Sequence, residues 1–258
     1  MFVDVHAHLD DKAFDNDRPQ VLEKIKETGI IVVNAGSDMD SSRFSVELAQ
    51  NYDFIYACVG VHPHEAAKVQ KDYIEELKEL AQNPKVIGIG EIGLDYYYEF
   101  SDRKLQQKVF LGQLELAKSL NLPVVIHSRD AHQDTLDILK KSVPSKGLMH
   151  CYSGSLEMAR ELLKLGFYFS FGGVITFKNA KKPKEVASDL PLDKILLETD
   201  CPYLSPEPYR GERNDPTRIP VIAKKLAELR HASAKEIEDI NYANFTRLFQ
   251  VSVPGAQN

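Results

Sequence analysis

Phe2-Val3-Asp4-Val5-His6-Ala7-His8-Leu9 opens the chain with an apolar run that ends in two histidines. In an extended strand residues two apart point to the same side, so His6 and His8 can converge on one cation; a helix would aim them apart. Taken alone, such a pair also fits a strand-end histidine held in a structural hydrogen bond. Further along, the same arrangement recurs. Glu91 ends Val86-Ile87-Gly88-Ile89-Gly90, His127 ends Pro123-Val124-Val125-Ile126, His150 ends Gly147-Leu148-Met149, and Asp200 follows Ile195-Leu196-Leu197-Glu198-Thr199.

Working outward, short β-branched runs alternate with amphipathic stretches along the whole chain. Eight strands are expected, centred on Phe2 to His6, Ile30 to Asn34, Phe54 to Gly60, Val86 to Glu91, Pro123 to His127, Gly147 to His150, Phe167 to Phe171 and Lys194 to Glu198. Between them, segments such as Tyr73 to Leu80 and Arg103 to Leu120 carry apolar residues at helical spacing. This pattern predicts an α/β fold, a single (β/α)8 TIM barrel of the metallo-dependent hydrolase type spanning residues 1–258. An open doubly wound sheet is the competitor, but no glycine fingerprint follows the first strand. A barrel also gathers early and late strand ends at one face. Gly88 and Gly90 remove side chains that would crowd the barrel or its top.

At 258 residues and 43% hydrophobic, the chain can bury a large core. A net charge of -6 excludes a protein that coats nucleic acid by charge alone, although a local basic patch beside cations can still hold phosphate. Cys58, Cys151 and Cys201 are widely spaced and form no CxxC, which argues against a disulfide framework. No apolar run approaches the length of a membrane span, and the opening residues lack the basic flank and apolar core of an export signal. The expectation is a cytoplasmic protein without a membrane or an obligate protein partner.

Four imidazoles and two carboxylates suffice for two divalent cations about 3.5–4 Å apart, with Glu91 as bridge. One cation is assigned to His6, His8, Glu91 and Asp200, the other to Glu91, His127 and His150. Nitrogen and oxygen donors suit Zn, Mn, Ni or Fe, and carboxylates with water also admit Mg.

The chain closely resembles the TatD family of metal-dependent deoxyribonucleases and related hydrolases, within the amidohydrolase-like barrels. The resemblance rests on Asp4-Val5-His6-Ala7-His8-Leu9, Gly60-Val61-His62-Pro63-His64, Gly90-Glu91-Ile92-Gly93-Leu94-Asp95-Tyr96, His127-Ser128-Arg129, His150-Cys151-Tyr152-Ser153-Gly154 and Glu198-Thr199-Asp200-Cys201-Pro202. It covers nearly the whole chain. It implies hydrolysis of phosphodiester bonds, often exonucleolytically on DNA, with divalent metal at the six positions above. Relatives elsewhere in this barrel class often bridge their metals with a carboxylated lysine; here the fourth strand ends in Glu91.

Around these residues, catalytic roles are expected for Asp200, which would orient or deprotonate the nucleophilic water, for Glu91, and for His62. His62 would serve a leaving oxygen, or make the structural hydrogen bond of a turn histidine; His64 reads as a loop or helix-start residue. Arg129 can aim at a scissile phosphate or pair with Asp130 or Asp134. Arg210 and Asn214, in Arg210-Gly211-Glu212-Arg213-Asn214, are further phosphate-binding candidates to which the resemblance extends, whereas Lys181 and Lys184 read as a solvated helix face. Asp95 and Tyr96, Tyr97 and Tyr98 are expected in a loop after Glu91, where a ring can stack on a base, with packing expected for at least two of the three. Glu198 is expected to support a ligand histidine, and Cys151 and Cys201 to face away as packing residues.

The substrate expected is DNA, as single strands or frayed ends, cleaved by metal-activated water. The same chemistry reaches carbonyls, so hydrolysis of an ester, amide or lactone, including D-aminoacyl-tRNA ester bonds, is the second enzymatic reading. A non-catalytic binding protein on the same barrel is the third.

Overall fold

In the computed structural model, residues 1–142, 144 and 146–251 are described; residues 143, 145 and 252–258 of the expected 1–258 barrel lie outside that description. The strands are β1 (Val3–Ala7), β2 (Ile31–Ala35), β3 (Ile55–Val59), β4 (Val86–Asp95), β5 (Val124–Arg129), β6 (Gly147–Met149), β7 (Tyr168–Phe171) and β8 (Ile195–Leu197). Each pairs in parallel with the next in chain order, giving one eight-stranded sheet. All eight expected strands are present. The main difference lies in β4, which runs past Glu91 to Asp95.

Helices α1 (Arg18–Thr28), α2 (Met39–Asn51), α3 (Tyr73–Leu80), α4 (Arg103–Leu120), α5 (His132–Ser142), α6 (Leu156–Lys164), α7 (Lys181–Asp189) and α8 (Ile219–Arg230) follow the successive strands, and α9 (Ala234–Phe249) is added after α8. Their starts are set locally: Asp38 and Ser41 form a reciprocal capping box at α2, and Asp102, Ser155 and Ser233 cap α4, α6 and α9. Strands β1 to β4 are buried along their whole length, as expected where helices cover one face and barrel side chains fill the other. One apolar cluster joins the helices to the strands; a second, inside the barrel, contains Val3, Val5, Ile31, Val33, Ile87, Val125 and Leu196. Phe245, Leu248 and Phe249 of α9 belong to this inner cluster, so α9 packs on the strand starts, opposite the candidate ligands.

Between β8 and β1 the sheet is joined by side chains where the ladder is incomplete. Buried Asn241 of α9 accepts from the Leu197 N–H (3.0 Å) and donates to the Val3 carbonyl (2.7 Å), standing in for a peptide group. One turn up the barrel, Asp4 accepts from the Thr199 N–H (2.9 Å), the Thr199 hydroxyl and the His6 N–H (3.2 Å). Burial pushes the Asp4 carboxyl up to about 8 against those hydrogen bonds. Above it, the Asp200 N–H reaches the His6 carbonyl and the His8 N–H the Cys201 carbonyl, both at 2.9 Å. The seam therefore ties the two ends of the chain together at the level of His6, His8 and Asp200. No helix among the described residues is long and apolar enough to cross a membrane.

Candidate metal centre

His6 and His8 converge as their spacing suggests, with Nε2 atoms 3.2 Å apart, although His8 lies just beyond β1. Glu91 Oε2 stands 3.3 Å from His6 Nε2 and 3.5 Å from His8 Nε2. Asp200 Oδ1 is 3.9 and 3.6 Å from the same two nitrogens. Four donor atoms around a cation at roughly 2.1 Å bond length would lie about 3.4 Å apart. The first set has that spacing.

The other oxygen of Glu91 serves a second set. Oε1 is 2.8 Å from His127 Nδ1 and 2.8 Å from His150 Nε2, and those two nitrogens are 3.4 Å apart. Glu91 is thus placed between the two groups, one oxygen toward each.

Second partners leave the converging nitrogens available. His8 Nδ1–H donates to the Ala35 carbonyl (3.0 Å), and His127 Nε2–H donates to Asp95 Oδ2 (3.2 Å), so loss of the remaining ring proton would leave lone pairs at His8 Nε2 and His127 Nδ1 facing the centre. His150 Nδ1 faces Glu198 Oε1 at 3.6 Å, beyond a hydrogen bond, while the Ser170 hydroxyl donates to Glu198 Oε2. Glu198 thus sits behind the candidate ligand His150 without a hydrogen bond to it. His6 Nδ1, His150 Nδ1 and Glu198 Oε1 are buried with no hydrogen-bond partner. The His6 and His150 rings stack at 3.9 Å, an arrangement hostile to two imidazolium ions. Clustered donors, among them the close triples His6, His8 and Asp200, His6, Glu91 and His150, and His62, Glu91 and His127, together with orphaned buried atoms, fit divalent cation binding.

The electrostatics agree. Burial, the largest effect on Glu91, favours its neutral form, but the charge of His150 and hydrogen bonds from His127 and His150 hold it well below the usual carboxylate range. Burial likewise works against ionisation of Asp200, and the His8 hydrogen bond and neighbouring imidazoles outweigh it. His8 is pushed up to about 9: burial opposes its charge, and Asp200 and Glu91 overcome that opposition.

Asp95 was expected in a loop. It is instead the buried last residue of β4, on the same face as Glu91 and opposite Arg129 in the β5 register. Its Oδ2 accepts from both His64 (2.9 Å) and His127, and its Oδ1 accepts from the Tyr97 and Tyr98 N–H groups (2.9 and 3.0 Å). The signal in the sequence is weak: Asp95 stands four residues beyond Glu91 with the same strand parity, across Ile92-Gly93-Leu94. His64, read as a loop or helix-start residue, lies in a short 3-10 helix (Pro63–Glu65) and is drawn into this network.

His62 Nδ1 accepts from the His64 N–H (3.2 Å), which leaves the proton on Nε2, 3.5 Å from Glu91 Oε1. Burial holds His62 well below its ordinary value, so it is a neutral donor pointed at the centre. Arg129 forms no ion pair with Asp130 or Asp134; its guanidinium lies over Tyr97 and Tyr98 (4.0 and 4.8 Å), and it lines the cleft. Asp134 instead accepts from Tyr96, whose ring is packed.

Two expectations fail. Arg210 stacks on Phe177 (4.0 Å) outside the cleft lining, because the loop after β8 turns it toward the loop after β7. Asn214 is fully buried; its amide donates to the carbonyls of Thr199 and Tyr203 (both 2.8 Å), which braces the turn bearing Asp200 and leaves nothing for a substrate. Cys151 also departs from its expected place: β6 ends before it, its φ is +43°, and it lines the cleft, while Cys201 is buried.

The cleft above these residues has a volume of about 700 Å³. Asp10, Asp11, Glu65, Glu91, Asp95 and Asp200 line it, and Arg129 is its one Lys or Arg among the described residues. Without cations such a site would repel any anion.

Residues 3–250 match the family model described as TatD related DNase. The chain is 44% identical over 255 residues to the uncharacterized metal-dependent hydrolase YabD of Bacillus subtilis (strain 168), covering 98% of this chain and 100% of that protein. It is 35% identical over 263 residues to the uncharacterized metal-dependent hydrolase YcfH of Escherichia coli (strain K12), covering 99% and 98%. The crystal structure of YJJV, a TatD homologue from Escherichia coli K12, superposes with a TM-score of 0.91 at 32% identity, covering 97% of this chain and 98% of that one. With this match over nearly its full length, the chain belongs to the TatD family of metal-dependent hydrolases.

Proposed function

We propose that this protein is a deoxyribonuclease that removes nucleotides from the ends of single-stranded or frayed DNA by hydrolysing phosphodiester bonds. The observation that carries the reading is Glu91, whose two oxygens face two separate groups of histidines on the floor of a cleft where Arg129 is the fixed cation. His6, His8, Glu91 and Asp200 would hold one cation, and Glu91, His127 and His150 the other. Two cations bound there supply charge neutralisation for phosphoryl oxygens and a water acidic enough to attack near neutral pH.

The protein's own residues do the rest. Arg129, held over two tyrosine rings, presents a planar donor to a non-bridging phosphate oxygen. Asp200, ionised and open to the cleft, orients the attacking water and accepts its proton. His62 donates Nε2–H to oxygen that gains charge in the transition state; being neutral, it acts as a hydrogen-bond donor and not as a full acid, and as the P–O bond to the leaving nucleotide breaks, that oxygen takes up the proton Asp200 accepted from the water. A single cationic side chain suits one phosphate at a strand end better than a long polyanion lying across the cleft.

The test uses end-labelled DNA and metal-stripped protein reconstituted with Zn, Mn, Ni, Fe or Mg in turn, beside a panel of esters and lactones. The reading expects DNA shortened stepwise from an end with at least one cation, and no cleavage by Glu91→Ala. Hydrolysis of an ester or lactone with DNA intact under every cation would replace it with the carbonyl reading.

A further inference from the structure

Large apolar side chains left in water are unevenly distributed. Of the eight that are exposed among the described residues, six lie in two loops: Tyr97, Tyr98 and Phe100 after β4, and Tyr203, Leu204 and Tyr209 after β8. In an eight-stranded order these loops stand on opposite sides of the barrel mouth, and Tyr98, Tyr203 and Leu204 line the cleft itself. The chain thus keeps two apolar walls around an acidic, cation-binding floor.

The wall after β4 is built rather than loose. The Tyr98 and Phe100 rings are parallel to within 10°, with centroids 5.2 Å apart. His64 meets both edge-on, at 5.5 and 4.9 Å. Asp95 fixes this group from below, accepting from His64 and from the Tyr97 and Tyr98 N–H groups. Even so, Phe100 remains 67% exposed and Tyr98 49% exposed. Tyr98 carries both Phe100 and the Arg129 guanidinium over its ring, so Phe100, the more exposed of the pair, offers the face for a flat partner.

We infer that the Tyr98–Phe100 pair, edged by Arg129, is a subsite that stacks an unpaired nucleobase of the nucleotide flanking the scissile phosphate. Resting on the phosphodiester reading above, it adds a base-recognition element beyond the donor set. The occupant is specified by neighbouring chemistry: the cleft's one Arg or Lys lies against the same wall, over Tyr97 and Tyr98, where it meets the phosphate attached to a stacked base. A hydrocarbon or acyl chain would use the rings but give the guanidinium no anion. Stacking on aromatic faces tolerates any base and requires one freed from its duplex neighbours, so the subsite favours single-stranded ends.

The test is a cycle between protein and substrate. Wild type, Phe100→Ala and Tyr98→Ala, each with its most active cation, are assayed on a labelled 12-nucleotide single strand and on the same strand with an abasic site beside the cleaved bond. Base stacking on one aromatic ring typically corresponds to about 5–150-fold in affinity. The expected result for Phe100→Ala is a KM about 10-fold higher on the intact strand, kcat little changed, and no difference from wild type on the abasic strand; Tyr98→Ala also removes a ring from beneath Arg129 and should lose activity on both strands, more on the intact one. Tyr98→Phe should restore the wild-type KM. An equal loss on intact and abasic strands would assign the rings to loop packing and overturn the subsite, as would an unchanged KM on the intact strand. Wild type inert on DNA with every cation would overturn the deoxyribonuclease reading and the subsite together, whereas active wild type with indifferent variants removes the subsite alone. A single strand carrying 2-aminopurine at that position should lose fluorescence on binding wild type and keep it with Phe100→Ala.

Discussion

Glu91 gives one oxygen to the His6–His8 side and one to the His127–His150 side, and Asp95, four residues on, accepts the far proton of His127. Replacing Asp95 by Asn puts an NH2 where either the histidines or the Tyr97 and Tyr98 amides need an acceptor. Partners of this kind are worth about 10–100-fold in metal affinity or activity. Asp95→Asn should therefore weaken the second cation by about that factor while the first still binds tightly, as read by calorimetric titration; equal affinities in both proteins would make Asp95 a loop brace only. Protons must leave before cations enter. His8 is held protonated up to about 9 by Asp200 and Glu91 against burial, and His150 is raised by Glu91 and Glu198 against the same opposition. Because the metal-free form keeps those protons below the raised values, cation affinity should fall as pH drops and rise toward about pH 9, with protons released on binding. Titration in buffers of different ionisation enthalpy measures the release; pH-independent affinity between 6 and 9 would contradict the assignment.

The elements hold these residues in place by close approach and by side chains that complete the sheet. Gly93, at φ +145°, pairs with His127 across β4 and β5, and an added Cβ would overlap the His127 carbonyl oxygen. Gly93→Ala should force the strands apart at a ligand, destabilise the fold by about 3 kcal/mol or more, and lower cation binding. Asn241, buried at the β8–β1 seam, should cost about 2–5 kcal/mol when changed to Ala, since two peptide groups lose partners. Urea unfolding checks both; for Asn241→Ala the donor atoms remain, so activity per folded molecule should stay near wild type. Much of this scale was legible in the sequence, because a buried parallel strand is a continuous apolar run and a charged or imidazole residue at its end has few reasons to be there. Asp95 was missed because the strand continues beyond Glu91, where glycine and leucine interrupt a simple reading. Arg210 and Asn214 were misjudged because loop residues take their direction from tertiary neighbours, Phe177 for one and the Thr199–Tyr203 turn for the other. The seam could not be read at all, since it joins Val3, Leu197 and Asn241 over most of the chain's length.

At the scale of the whole molecule, the candidate ligands come from β1, β4, β5, the segment after β6 and the turn after β8, so cations would tie both ends of the chain to its middle. A ligand bound only by the folded state at 100 times its Kd adds about 2.7 kcal/mol. For a chain of this size that corresponds to roughly 5–11 °C in Tm per site, and chelator should remove it. The barrel and the donor set account for hydrolytic chemistry, and the proposal gives the loops after β4 and β8 the choice of substrate. The central proposal is that Glu91 would serve two cations, one on each carboxylate oxygen. It is tested most directly by titrating metal-stripped protein with one divalent cation and counting equivalents bound per chain, in wild type and in Glu91→Ala. The account predicts two equivalents for wild type and loss of tight binding at both positions in the variant. Saturation of wild type at a single equivalent, or two equivalents still bound by Glu91→Ala, would contradict it.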